Sequence, residues 1–180
     1  MRLMFRLGGV AAAAVSAILL PAAAPAAPAR PAAAAVPVCG MPGTSLETWF
    51  APEGDGFAGG IVYVVEFSNI GKATCAVKGF PVVKLTANGQ QVGLKATTSG
   101  PAPATVTLKP GRTAHVVLAI HDAGAFCNPV PTDGLRVRPP GIPVAQTANF
   151  ALESDACPGK STMDVGAIYP GVGIPHYTIR

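Results

Sequence analysis

Beyond its first few dozen residues, this 180-residue chain never sustains the 3.6-residue apolar spacing of an amphipathic helix. It offers short apolar runs instead, cut apart by 21 glycines and 19 prolines. Runs of that length bounded by Gly/Pro turns read as strands, and seven to nine of them predict an all-β antiparallel sandwich. The strongest run is 61–67, where Ile61, Tyr63, Val65 and Phe67 share one face and Val62 and Val64 the other. A strand apolar on both faces sits centrally in its sheet. The stretch 68–85 follows, and the other strands are expected to lie against it. It reads as strand, turn, strand, with Asn69-Ile70-Gly71-Lys72 as the turn, Cys75 in the middle and Gly79-Phe80-Pro81 at a corner. Its two sides are expected to face each other as a hairpin.

Other segments fit the same scheme. A first strand is expected at 44–50, followed by a turn at Pro52-Glu53-Gly54-Asp55-Gly56. Asn88-Gly89 is a two-residue hairpin signal, and 90–95 returns with Val92 and Leu94 inward. A loop at 97–104 leads to strands at 105–108 and 112–121 around Lys109-Pro110-Gly111. Residues 122–133 form a loop holding Cys127; beyond it Leu135 and Val137 point inward, Arg136 and Arg138 outward. The last strands are expected at 144–152 and 162–168, with 169–180 an irregular tail or edge strand.

The front of the chain stands apart. Arg2 and Arg6 precede an apolar run at 7–20, and small residues follow, the layout of a secretory signal peptide. That run falls short of the roughly 20 apolar residues a membrane span needs. The expected organisation is a signal peptide and Ala/Pro-rich leader at 1–34, a β domain at 35–168 and the tail at 169–180. Val38 occupies a position where a lipoprotein needs a small residue before its cysteine, so no lipid on Cys39 is expected. With no twin arginine, general export is the expected route.

Removing the leader also changes the charge. The chain has 13 Lys and Arg against 9 Asp and Glu; without Arg2, Arg6 and Arg30 the balance is 10 against 9. A nucleic-acid partner needs a basic stripe, and none is visible. Cleavage near Ala34 leaves about 146 residues, one domain with its own core. Cys39, Cys75, Cys127 and Cys157 in an exported chain imply two disulfides with three arrangements open. Their spacings contain no C-x-x-C, which argues against a zinc ribbon or a thioredoxin-like motif.

Signals for catalysis are sparse. There is no G-x-S-x-G, and no catalytic, cofactor-binding or metal residue is assigned. His115 and His121 share a strand face but stand roughly 20 Å apart, too far to share one ion, and a third ligand such as His176 would have to come from the tail. They read as solvent-facing or edge histidines. Glu53-Gly54-Asp55-Gly56 lacks the spaced carboxylates of a calcium loop and reads as a glycine turn. Of Trp49 and Phe50, alternation sends one into the core. Lys78, Lys84, Arg136 and Arg138 point outward, as a solvated face or as a basic patch for anionic wall polymer.

These motifs carry a resemblance. Asn69-x-Gly71, Cys75 and Gly79-Phe80-Pro81-x-Val83 are similar to the core pattern of an exported actinobacterial family, domain of unknown function four-two-three-two. Leu108-Lys109-Pro110-Gly111 with Ala114 resembles its L-x-P-G-x-x-A segment, and Leu135 to Gly141 its L-x-V-x-P-P-G segment. The similarity spans roughly 39–168. It implies an immunoglobulin-like sandwich and an envelope location, and no established activity. Many members carry a lipobox and a Ser/Thr linker, and this chain has neither. On chain order, Cys39 is expected to join Cys75 and Cys127 to join Cys157.

The resulting expectation is a secreted, monomeric, non-enzymatic binding or structural domain, extracellular or retained at the cell wall. Its expected partner is an envelope protein or wall polymer, with no nucleic acid, no cofactor and no membrane insertion after leader removal. The alternatives are a soluble ligand carrier with an apolar cavity between its sheets and a metal-dependent or hydrolytic enzyme.

Overall fold

The computed structural model describes residues 35–143 and 146–173. The leader, the end of the tail with His176, and the first residues of the strand expected at 144–152 lie outside the described residues. The strands in chain order are β1 Leu46–Phe57, β2 Gly60–Asn69, β3 Cys75–Val77, β4 Val82–Ala87, β5 Gln90–Val92 and β6 Thr97–Thr98. They continue with β7 Val106–Leu108, β8 Thr113–His121, β9 Val130–Arg138, β10 Ala148–Ala156, β11 Met163–Val165 and β12 Tyr169–Pro170. A short 3-10 turn, Ala123–Ala125, follows β8.

Alternation sorts these strands into layers. One sheet runs β1-β2-β8-β11-β6, with β12 also on β8; the other runs β10-β9-β4-β5, and β3 pairs with β7 as a separate ribbon. Relabelled, β1-β2-β8 against β10-β9-β4-β5 is the A-B-E against G-F-C-C′ order of an immunoglobulin-like sandwich. Val65, Phe67 and Leu118 from the first sheet meet Val83, Leu85, Leu135 and Val137 from the second, all sealed from solvent. Phe50 joins them, its ring 5.3 Å from Tyr63 and 5.6 Å from Phe150. Trp49, on the opposite face of β1, is exposed, so the pair divides as alternation requires.

β2 lies centrally, between β1 and β8, with Val62 buried on its outer face. Both disulfides form, Cys39–Cys75 and Cys127–Cys157. The first fixes 37–39 beside β3, where Cys39 N donates to Ala76 O and Ala76 N to Pro37 O. The second joins the loop before β9 to the residue after β10. A bridge of this kind stabilises by about 2–4 kcal/mol. Asn88 and Gly89, at φ 50° and 72°, make the tight β4–β5 turn that their sequence announces.

Several local expectations are corrected. Stretch 68–85 is no hairpin: β2 ends in one sheet, β3 pairs with β7, and β4 belongs to the other sheet. The cause is Asn69, whose side chain is fully buried. Its Nδ2 donates to Ala73 O and Leu108 O, both at 2.9 Å, and its Oδ1 accepts from Gly71 N. That side chain ties the loop to itself and to β7, so the chain can cross between layers with its polar groups satisfied. Pro52 to Gly56 is part of β1, with an irregularity between Ala51 and Asp55; β1 is an edge strand, where proline and a bulge are tolerated. β5 stops at Val92, leaving Leu94 exposed, and Thr97–Thr98 pairs in parallel with β11 inside the expected loop.

Candidate functional site

Without the leader the chain has ten Lys and Arg against nine Asp and Glu, so distribution rather than net charge decides what this surface attracts. On the outer face of the second sheet, Lys84 stands directly opposite Arg136, and Arg138 follows two residues along β9. Outward alternation brings these three together. Lys78, expected with them, lies in the loop after β3 and is not part of the row. Lys84, Arg136 and Arg138 line a shallow concavity of about 140 Å³ with Val82 and Thr147. Arg136 is held in place: its Nε donates to Asn149 Oδ1 at 3.0 Å and its Nη2 to Gly89 O at 2.9 Å. No acidic side chain pairs with the row, since His121–Asp164 is the only ion pair among the described residues.

The far end of the sandwich is acidic. Where β2 begins and β8 and β10 finish, a cleft of about 350 Å³ is lined by His121, Asp122, Glu153, Ser154 and Asp155, with Tyr63 at its wall. His121 Nε2 donates to Asp164 Oδ2 at 2.8 Å, and Phe57 and Phe126 meet the imidazole edge-on. Asp122 Oδ1 accepts from Gly124 N and starts the 3-10 turn. Burial pushes the Tyr63 hydroxyl above its ordinary pKa, because the phenolate would lose its hydration. This cleft has a histidine and carboxylates in one place, the arrangement a hydrolytic site requires.

His115 corrects the expectation of a solvent-facing side chain, since it is 4% exposed. It lies beneath residues 169–173, which cross the outer face of the first sheet. Its Nδ1 donates to Gly171 O at 3.0 Å, Gly171 N donates to Thr113 O, and Gly173 N donates to Glu66 Oε1. Gly173 sits so tightly on Val64 that a Cβ there would overlap its side chain. His115 Nε2 has no hydrogen-bond partner among the described residues. The two histidines therefore serve different neighbourhoods, and no three metal-ligating side chains converge among the described residues.

Sequence reasoning missed two things here. Glu153 and Asp155 fall just beyond the strand expected at 144–152, with nothing to place them beside His121. The Lys84–Arg136 juxtaposition depends on strand register, which links positions 52 apart. No helix among the described residues is long and apolar enough to cross a membrane. Comparison with curated proteins gives no match. The family model described as Domain of unknown function (DUF4232) matches residues 39–169. That span takes in β1 through β11, both disulfides, the buried Asn69 and the Lys84–Arg136–Arg138 row, and the chain belongs to this family.

Proposed function

We propose that this chain is a secreted, non-enzymatic binding or structural module of the bacterial cell envelope. The observation that carries the reading is the sorting of charge on a rigid, disulfide-closed frame. A nearly balanced set of side chains is divided into an acidic end and a basic face. Complementary charge of this kind steers and orients partners more than it adds raw affinity. The inter-sheet space is filled by Phe67, Leu85, Leu118 and Leu135, which favours surface docking over a carrier role. The two disulfides suit an oxidising, extracytoplasmic setting. Envelope extract passed over the immobilised protein is expected to yield a reproducible envelope component. Recovery of nothing beyond what an unrelated sandwich of equal net charge retains would count against the proposal.

A second reading is favoured by the His121 cleft, where Asp164 orients an imidazole next to Asp122, Glu153 and Asp155. It makes the protein a hydrolase acting by general acid–base chemistry. Turnover of an ester, glycoside or phosphoester substrate that disappears in His121→Gln would replace the first reading with this one.

A further inference from the structure

We infer that the outer face of the second sheet is a binding site for a linear polyanion, with Lys84 and Arg136 gripping one anionic group and Arg138 the next. The inference rests on the binding-module reading and deepens it. Like charges directly opposite each other on antiparallel strands destabilise a sheet, and Lys84 and Arg136 are such a pair. No carboxylate neutralises them, because no acidic side chain pairs with either among the described residues. An anion set between them converts the repulsion into two attractions. Arg136 is ready for that task. Asn149 Oδ1 and Gly89 O hold two of its donors, which fixes the plane of the guanidinium and leaves its other N–H groups to reach a ligand.

The shape of the face selects for a chain of anions rather than a lone ion. Arg136 and Arg138 lie two residues apart on one strand, so their cations recur roughly every 7 Å along β9. The concavity between them has Val82 and Thr147 in its lining, so the cations border a groove that runs along the strand pair. Phosphate groups of a phosphodiester polymer and carboxylates of a uronic-acid polymer both satisfy this chemistry. Lys109 and Arg112, in the turn between β7 and β8, are cations outside this face and serve as the internal control.

The test uses the processed full-length chain secreted by its own host, titrated with long-chain polyphosphate and with polygalacturonate at low ionic strength. Binding to at least one polymer is expected, weakening about tenfold or more as salt rises from about 20 to about 200 mM, because exposed charges are screened. Replacing Lys84, Arg136 and Arg138 together with Gln is expected to cost tenfold or more in affinity with the melting transition retained. The Lys109→Gln, Arg112→Gln double variant is expected to bind within about twofold of wild type. Preference for polyphosphate assigns phosphate as the ligand chemistry, and preference for polygalacturonate assigns carboxylate. The inference is overturned if neither polymer binds, if the triple variant binds as wild type does, or if single-stranded DNA binds more tightly than both polymers. Capture of an envelope protein by the triple variant would then leave the binding-module reading standing without this site.

Discussion

On the outer face of the first sheet, Val62 and Val117 are buried and His115 lies beneath residues 169–173. On the outer face of the second, Lys84, Arg136 and Arg138 stand partly open, and no acidic side chain is ion-paired with them among the described residues. Both faces belong to central antiparallel pairs, β2–β8 and β4–β9, so backbone geometry does not separate them. What differs is the cover. A covered face contributes burial to stability and tolerates little change. An open face that sets two cations opposite each other costs stability, so folding does not account for its composition.

The largest test of that contrast is to put the same charge on both faces. Val117→Asp buries an unpaired carboxylate in the first sheet and is expected to remove more than about 3 kcal/mol, measured by denaturant unfolding. Arg136→Asp, at a central position of the second sheet, replaces a repulsion to Lys84 with an attraction. It is expected to fall within about 0.5 kcal/mol of wild type or slightly above it. Equal losses would erase the distinction between the faces.

Next in size is the crossing between the sheets. Asn69→Ala leaves the carbonyls of Ala73 and Leu108 without its amide in a buried site, and a loss of about 2–3 kcal/mol is expected. Chemical denaturation checks the loss, and a value near zero would mean that the loop holds its path without this side chain.

A smaller effect is confined to the first sheet. Burial raises the Tyr63 hydroxyl pKa, so above about pH 10 the unfolded chain releases a proton that the native chain retains. Stability from this group is complete below the unfolded value and declines as pH climbs toward the folded one. Between about pH 9 and about pH 11 the wild type is expected to lose more stability than Tyr63→Phe. Parallel pH profiles would remove Tyr63 as the source.

Much of this contrast could be read from the sequence, though not all of it. Alternation put Tyr63, Val65 and Phe67 of 61–67 and Val116, Leu118 and Ile120 of 112–121 into the core, though Ile61 at the strand's start is exposed, and the outward positions of Lys84, Arg136 and Arg138 followed from the same rule. Chain order gave the cysteine partners that the structure adopts. The sandwich class was legible because period-2 patterning and Gly/Pro punctuation are local signals. Pairing is not local. The Asn69 turn chemistry suits a hairpin as well as it suits a crossover, and only the distant carbonyl of Leu108 decides between them. The burial of His115 depends on residues 169–173, more than fifty positions later, and the acidic cleft depends on strands that meet only in three dimensions.

The most direct measurement is the melting temperature of wild type and Lys84→Gln, each with and without the polyanion that the wild type binds. If the Lys84–Arg136 pair is retained for binding and not for folding, Lys84→Gln alone melts at or slightly above the wild-type temperature. The polymer then raises the wild-type transition and leaves the variant's nearly unchanged, because a ligand stabilises only the fold that binds it. A variant that melts clearly below wild type on its own, or that gains the full polymer shift, would contradict the account.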